Sequence, residues 1–227
     1  MGPQTQARTK LLDAALQVVR TRGYAATTVD DICAAAGVTK GSFFHHFKTK
    51  EDLAVAAAEH FSLMAKGLFG AAEYQAERDP ARRVLGYIDF RTAMLKGELP
   101  QYTCLLGTMV QETYATHPAI RAACDRYMSE HTGELARDIA EAKALYAPDA
   151  EWSPDSLAFY TQAVLQGSFV LAKAKNDSKV AVQSLAHLRR YLEMLFTPGT
   201  AKKAAIPGRR AGARRAKAGE HGIRKRT

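Results

Sequence analysis

Apolar residues recur along this chain at intervals of three and four. No stretch of any length alternates one by one, so the pattern predicts helices and no sheet. Leu12, Ala15, Leu16 and Val19 give a first helix its buried stripe. A second, short helix is expected after Thr28, a good N-cap, with Val29, Ile32, Ala35 and Ala36 on one face. Asp30 and Asp31 fall in its first turn, where the helix dipole favours negative charge. Gly37 breaks this helix and Thr39 caps the next. Phe43 and Phe47, four apart, bury one face of that third helix and leave Lys40, Ser42, Phe44 and His45 on or near the other. A fourth helix opens at Lys50 and runs to about Leu68, with Gly67, Gly70 and Asp79-Pro80 marking the next boundary.

Past Pro80, Val84, Tyr87, Ile88, Arg91, Met94 and Leu95 form a stripe that ends at Gly97 and Pro100. Helices from about Tyr102 to Thr116 and from Pro118 to about Leu145 flank His117-Pro118. In the second of these, Ile120, Cys124, Tyr127, Met128, His131, Leu135 and Ile139 share a face, where His131 reads as a satisfied core or pocket-edge histidine. From Leu157, the residues Tyr160, Thr161, Val164, Leu165, Ser168, Phe169 and Ala172 make a broad stripe, and Gly167 and Ser168 allow another helix close. The final helix carries Ala181, Leu185, Leu188, Leu192 and Leu195 at spacings of four and three, a narrow seam widened by Tyr191 and Met194. Periodicity alone leaves a monomeric bundle and a dimer level.

Composition supports a helical protein with a sizeable core: 227 residues, 47% hydrophobic, and only 8 prolines. No apolar run precedes the first helix and no run is long enough to span a bilayer, so neither export nor insertion is indicated and a cytoplasmic location is expected. The three cysteines show no CxxC or metal-like spacing. Cys104 and Cys124 lie at unequal distances from the turn near His117-Pro118, an offset that disfavours a bridge, and Cys33 and Cys124 read as small core residues. Charge is unevenly placed. Of the net +9, the whole excess lies in residues 201–227, which hold ten Lys or Arg against Glu220, leaving 22 basic and 22 acidic side chains in the first 200 residues. Such a tail, poor in large apolar residues, is expected to be disordered. It is either a solvated solubilising segment or an auxiliary DNA contact acting by counterion release, and the neutral body favours the second.

Residues 28–47 are laid out as a helix-turn-helix, and consecutive positions carry a closer likeness. Thr27-Thr28-Val29, Ala36-Gly37-Val38, Thr39-Lys40-Gly41-Ser42, His46-Phe47 and Thr49-Lys50-Glu51 together resemble the DNA-binding domain of the TetR family of bacterial transcriptional regulators. That resemblance implies an all-α fold of about nine helices. Residues 1–50 would be a three-helix DNA-binding domain, 51–197 a helical effector-binding and dimerisation domain, and 198–227 a basic tail. The expected DNA contacts are Thr28, Thr39, Lys40, Gly41, Ser42, Phe44, His45 and Lys50. One departure matters: Phe44 stands where the family usually places a tyrosine that reaches a phosphate, so that hydrogen bond is missing although the ring can still pack on sugar or a thymine methyl.

The resemblance also implies a homodimer built on the last two long helices, a near-palindromic double-stranded operator and release by an unknown small-molecule inducer acting through the fourth helix. Candidate pocket residues are Phe61, Met64, Leu68, Tyr87, Phe90, Met94, Leu105, Met109, Tyr127, Tyr160 and Phe169, most of which plain core packing would also explain. Cys104 sits near a helix N-terminus, where the dipole favours thiolate, and some TetR-like repressors that sense electrophiles place a cysteine before such a Leu-Leu pair. The plainer reading is a buried structural cysteine. The rival classes are an all-α enzyme, for which the sequence offers no phosphate loop, nucleophile elbow, metal cluster or cofactor motif, and a nonspecific DNA-organising protein using the tail. The His45-His46 pair does not suggest a metal site, because adjacent helical residues do not face each other.

Overall fold

The structure is a computed structural model and describes residues 3–197; the basic tail, and with it the expectation for residues 198–227, lies outside the described residues. Ten α-helices follow one another, with no strand among the described residues: α1 (Pro3–Arg22), α2 (Val29–Ala36), α3 (Lys40–His46), α4 (Lys50–Gly70), α5 (Pro80–Ala93), α6 (Leu99–Tyr102), α7 (Leu105–Thr113), α8 (Pro118–Tyr146), α9 (Pro154–Lys175) and α10 (Lys179–Phe196). A 3-10 turn, Glu73–Ala76, joins α4 to α5.

The helix starts are set locally. Thr28 and Asp31 form a reciprocal capping box on α2, and Thr49 and Asp52 form another on α4. Asp79 caps α5 with Pro80 just inside, and Ser153 does the same for α9 with Pro154. Gly37, at φ 63°, and Asn176, at φ 49°, end α2 and α9 in the left-handed conformation.

The chain between α5 and α7 departs from the predicted pattern. The helix predicted to end at Gly97 stops at Ala93, although Met94 and Leu95 still pack on the second core, and the helix expected from about Tyr102 is split into α6 and α7. Gly97 at φ 80° turns the chain, and the Gln101 side chain accepts from the Glu98 N–H at 2.9 Å to close one short turn around Pro100. A second turn then starts at Leu105, capped by Cys104.

Two apolar cores result. The first gathers Leu11, Leu16, Ile32, Phe43 and Leu53 from α1 to α4, and continues into Leu105 and Met109 of α7 and Ile120 and Cys124 of α8. The DNA-binding unit therefore shares its core with the rest of the chain, and residue 50 is no packing boundary. The second core joins Val84 and Ile88 of α5, Leu135 and Ile139 of α8, Leu165 and Phe169 of α9, and Leu185 and Leu192 of α10. The α10 seam of Ala181, Leu185, Leu188 and Leu192 is thus used within the chain. The opposite face of the α9–α10 pair leaves Phe159, Tyr160, Val170, Leu171, Val182, Tyr191 and Met194 exposed. No described helix is long and apolar enough to cross a membrane.

Candidate nucleic-acid interface and ligand site

The reading unit is assembled from α2, its glycine turn and α3. Val38 N–H donates to the Cys33 carbonyl at 3.0 Å across the turn, and the Thr39 hydroxyl accepts from Ser42 N–H at 3.2 Å. Phe43 and Phe47 are buried on the inner face of α3 with ring centroids 5.9 Å apart. That anchorage turns Thr39, Lys40, Gly41, Phe44 and His45 outward, with Ser42 half-buried beside them and Thr28 exposed at the start of α2. Phe44 is 57% exposed although its ring meets Phe43 edge-on. Lys40 pairs with Asp30 at 2.8 Å, both side chains largely in solvent, so the pair steadies the turn only weakly. His46, on the flank of α3, has its pKa lowered by burial and then by His45 and Arg8.

Lys50, expected among the DNA contacts, is turned into the protein. Its ammonium donates to the carbonyls of Tyr24 at 3.0 Å and Thr27 at 2.8 Å, and lies 4.2 Å from the centre of the Tyr24 ring. Two of its three donors are thereby engaged in holding the α1–α2 turn, and burial lowers its pKa.

The expected pocket residues do not gather around one cavity. Met64 and Tyr160 are 53% and 47% exposed, and Leu68 is also exposed, so none of the three encloses a ligand within one chain; Tyr160 instead meets Tyr191 of α10. Leu105 and Met109 are fully buried in the first core, where they border a gap of only about 10 Å³. Phe61, half-buried, lies under the Arg20 guanidinium, and Tyr127 under that of Arg126. Tyr87, Phe90, Met94 and Phe169 belong to or border the second core.

Within that core a polar trio is embedded. The Gln162 amide donates to the Tyr87 hydroxyl at 3.1 Å, and that hydroxyl shares a hydrogen bond of 2.9 Å with His131 Nε2; with Tyr87 as its donor, the imidazole is neutral with its proton on Nδ1. Burial first, and the nearby Arg91 second, push the His131 pKa down to about 4, in keeping with that tautomer. The satisfied histidine expected from sequence is what the structure contains. Arg91 lies over the rings of Phe69, Tyr87 and Phe169 at 5.3–6.0 Å.

A separate open cleft of about 220 Å³ separates α7 from α9 and is lined by Thr103, Cys104, Thr108, Glu112, Gln166 and Lys173, with Phe169 among its other walls. Cys104 is partly exposed there and its Sγ accepts from Gly107 N–H at 3.5 Å. Cys33 and Cys124 are buried and unbridged, and burial pushes the Cys124 thiol up to about 12. Sequence reasoning singled out Cys104 but missed Thr103, Glu112 and Lys173. Only the Thr103-Cys104 adjacency was visible in one dimension; the other two residues reach the cleft from another turn and another helix.

The class of molecule follows from these parts: a helix-turn-helix whose outward face is free, carried on a helical body. Residues 11–57 match the family model for bacterial regulatory proteins of the tetR family, and residues 80–188 match that for the tetracyclin repressor-like C-terminal domain. The HTH-type transcriptional repressor DhaR of Mycobacterium sp. (strain GP1) is 27% identical over 80% of this chain and 90% of its own length. The transcriptional regulator AcuR of Cereibacter sphaeroides is 28% identical over 74% and 76%. A crystal structure of a regulatory protein TetR from Rhodobacter sphaeroides superposes with a TM-score of 0.72 at 26% identity, covering 82% of this chain and 98% of that one. The chain belongs to the TetR family, and it is a DNA-binding transcriptional regulator. The relatives are regulators of transcription, not enzymes.

Proposed function

We propose that the protein is a cytoplasmic homodimeric repressor that holds a near-palindromic operator through two copies of α3 and leaves it when a small inducer binds the body. The carrying observation is that one chain joins an outward reading face on α3 to an exposed apolar face across α9 and α10, where Phe159, Tyr160, Val170, Leu171, Val182 and Tyr191 stand in solvent beside the exposed Ala163 and Gly167. A patch of this kind on a soluble chain marks an association surface, and the small residues allow a second pair of helices to approach closely. Two-fold pairing sets the readers about 34–36 Å apart, the spacing of successive major grooves. The outward residues Thr28, Thr39, Lys40, Gly41, Ser42, Phe44 and His45 supply the contacts, and the name of the DhaR relative favours repression as the outcome.

The test is sedimentation and operator selection. Wild-type protein is expected at twice the chain mass of 24.8 kDa, and genomic fragments it retains are expected to share an inverted repeat. Leu171→Glu combined with Tyr191→Glu is expected to give monomers with operator affinity reduced at least about 100-fold, since each monomer keeps one half-site. Wild-type protein that stays monomeric yet binds a repeat-free fragment as tightly would sink the reading. Removal of residues 201–227 is expected to weaken all DNA binding alike; loss of operator preference would favour the organiser instead.

A second reading of the trigger rests on Cys104, whose thiol is partly exposed in an open cleft at the start of α7. Here an electrophile that alkylates Cys104 is the inducer. Complete labelling with N-ethylmaleimide, checked by mass spectrometry in a Cys104→Ser control, is expected to lower operator affinity; an unchanged mobility shift after full labelling removes it.

A further inference from the structure

We propose that the cleft between α7 and α9 binds a small monocarboxylate, and that Glu112 in its wall passes occupancy directly to the turn that precedes the reading helices. The second half rests on the repressor reading above; the first does not.

The site is built around an orphan. Thr103 is 1% exposed, yet its Oγ1 has no hydrogen-bond partner among the described residues, and it lines the cleft. A buried hydroxyl without a partner is rare, and a ligand oxygen is what this one lacks. On the facing helix, Lys173 brings a cation to the same cleft, held by a hydrogen bond from its ammonium to Thr108 Oγ1 at 3.0 Å and, among the described residues, by no carboxylate at ion-pair distance. Gln166 adds an amide, and Phe169 and Val170 give an apolar wall. Hydroxyl, amide, ammonium and a short apolar surface together match a carboxylate on a small carbon skeleton. The volume, about 220 Å³, is below the roughly 300–1,000 Å³ of sites for drug-sized ligands and suits a skeleton of a few carbons.

The carboxylate of Glu112, the one acid of the cleft wall, points elsewhere. Its Oε2 accepts from the backbone N–H of Ala25 at 2.7 Å, 87 residues away in sequence, and its Oε1 lies so close to Gly23 that a Cβ there would meet it at 2.3 Å. Gly23 itself turns at φ 86°. The same turn is held from α4 by Lys50 and touched from α8's start by His117, whose ring meets Tyr24 edge-on. An anion arriving beside Lys173 repels the Glu112 carboxylate of the same cleft wall. The α1–α2 turn is thus loosened from α7 without any displacement of α4 being needed.

The experiment uses the full chain and three probes, propionate, 2-hydroxybutyrate and pyruvate, with propionamide and propylamine as neutral and cationic controls. Titration calorimetry is expected to detect binding of at least one acid and of neither control. Thr103→Val, which removes the orphan and should itself be well folded, and Lys173→Met are each expected to weaken that binding by at least about tenfold, the range of a lost charge-assisted hydrogen bond. No binding by any acid at millimolar concentration, equal binding of the controls, or full binding by both variants overturns the site. For the coupling, the ratio of operator affinities with and without the bound acid is measured. Glu112→Ala is expected to bind the acid and bring that ratio to one, and Glu112→Gln, whose amide oxygen still accepts from Ala25 but carries no charge for the acid to repel, is expected to keep operator affinity near wild type and likewise bring the ratio close to one. An unchanged ratio in Glu112→Ala overturns the coupling, whereas binding of the acid by a protein that selects no operator leaves the site standing and removes the repressor reading.

Discussion

The two cores of this chain are held together differently. The first, under the reading helices, is packed from Leu11, Ile32, Phe43, Leu53 and Met109, and the buried Thr27 hydroxyl bonds locally to the Gly23 carbonyl at 2.6 Å. The second encloses the Tyr87, His131 and Gln162 trio and sets the Arg91 cation against three aromatic rings. Shape and volume alone fix an apolar core, whereas a buried polar network is stable only while every member keeps its partner and its protonation state. The inner packing of the reader therefore depends on shape and volume, whereas that of the body depends on protonation state as well.

The largest expected effect tests the apolar half. Phe43 is fully buried, so Phe43→Ala should cost about 3–5 kcal/mol in chemical denaturation, through lost transfer energy and the cavity left behind. Because Leu105 and Ile120 share this core, the loss should appear in the unfolding of the whole described chain. A small local melting of the reader with the body intact would break the comparison.

The polar half is tested by pH. His131 is neutral in the folded chain with a pKa of about 4, below its unfolded value near 6.5, so the unfolded chain binds the proton first as pH falls. Its contribution is fully present above pH 6.5 and is lost as the pH drops toward 4, a change of up to about 3 kcal/mol. His131→Gln should flatten this slope between pH 6.5 and 4 in parallel denaturation curves. An equal slope in the variant would mean that the trio is not the acid-sensitive part.

What could be read from the sequence divides along similar lines. The N-cap at Thr28 and the Gly37 break are local interactions, so the sequence announced them, as it did the two faces of α3; the return bonds of Asp31 to Thr28 and of Asp52 to Thr49, which complete the capping boxes, went unannounced. The outward position of Phe44 was legible for the same reason. Lys50 was misread because its partners, the carbonyls of Tyr24 and Thr27, are backbone atoms of no distinctive sequence, more than twenty residues away. The cleft was invisible but for Cys104, since Lys173 joins it across 65 residues through Thr108 and Glu112 turns away to Ala25. In the α9 and α10 stripes, periodicity predicted apolar faces but could not say which face the chain itself would cover.

A smaller effect separates fold from surface at the edge of the reader. Thr28 accepts from Asp31 N–H at 3.1 Å and its own N–H donates to Asp31 Oδ2 at 2.9 Å. The Thr28 hydroxyl, donating to Asp31 Oδ2 at 2.6 Å, and then the Thr28 N–H hold the Asp31 carboxyl below the usual range, with Arg22 adding to them. Thr28→Ala should cost about 1 kcal/mol, the usual worth of an N-cap. A cost indistinguishable from zero in urea denaturation would show that the first core positions α2 without help from its cap.

The smallest expected effect on stability is the most informative about function, because it sits one residue from the largest. Phe43 and Phe44 touch edge-on at 5.2 Å, but the first is sealed in the core and the second is 57% exposed. An exposed phenyl ring so placed contributes little to folding, and Phe44→Ala should change stability by less than about 0.5 kcal/mol. In the repressor reading the ring packs on the sugar or a thymine methyl of the operator, so the same change should weaken operator binding severalfold with no shift in the denaturation midpoint. Phe44→Tyr should go the other way, adding a hydroxyl within reach of a phosphate and tightening binding while leaving stability alone. If Phe44→Ala destabilised the chain as much as it weakened DNA binding, the outer face of α3 would belong to the fold, and the contrast between a sealed inner face and a free reading face would fail.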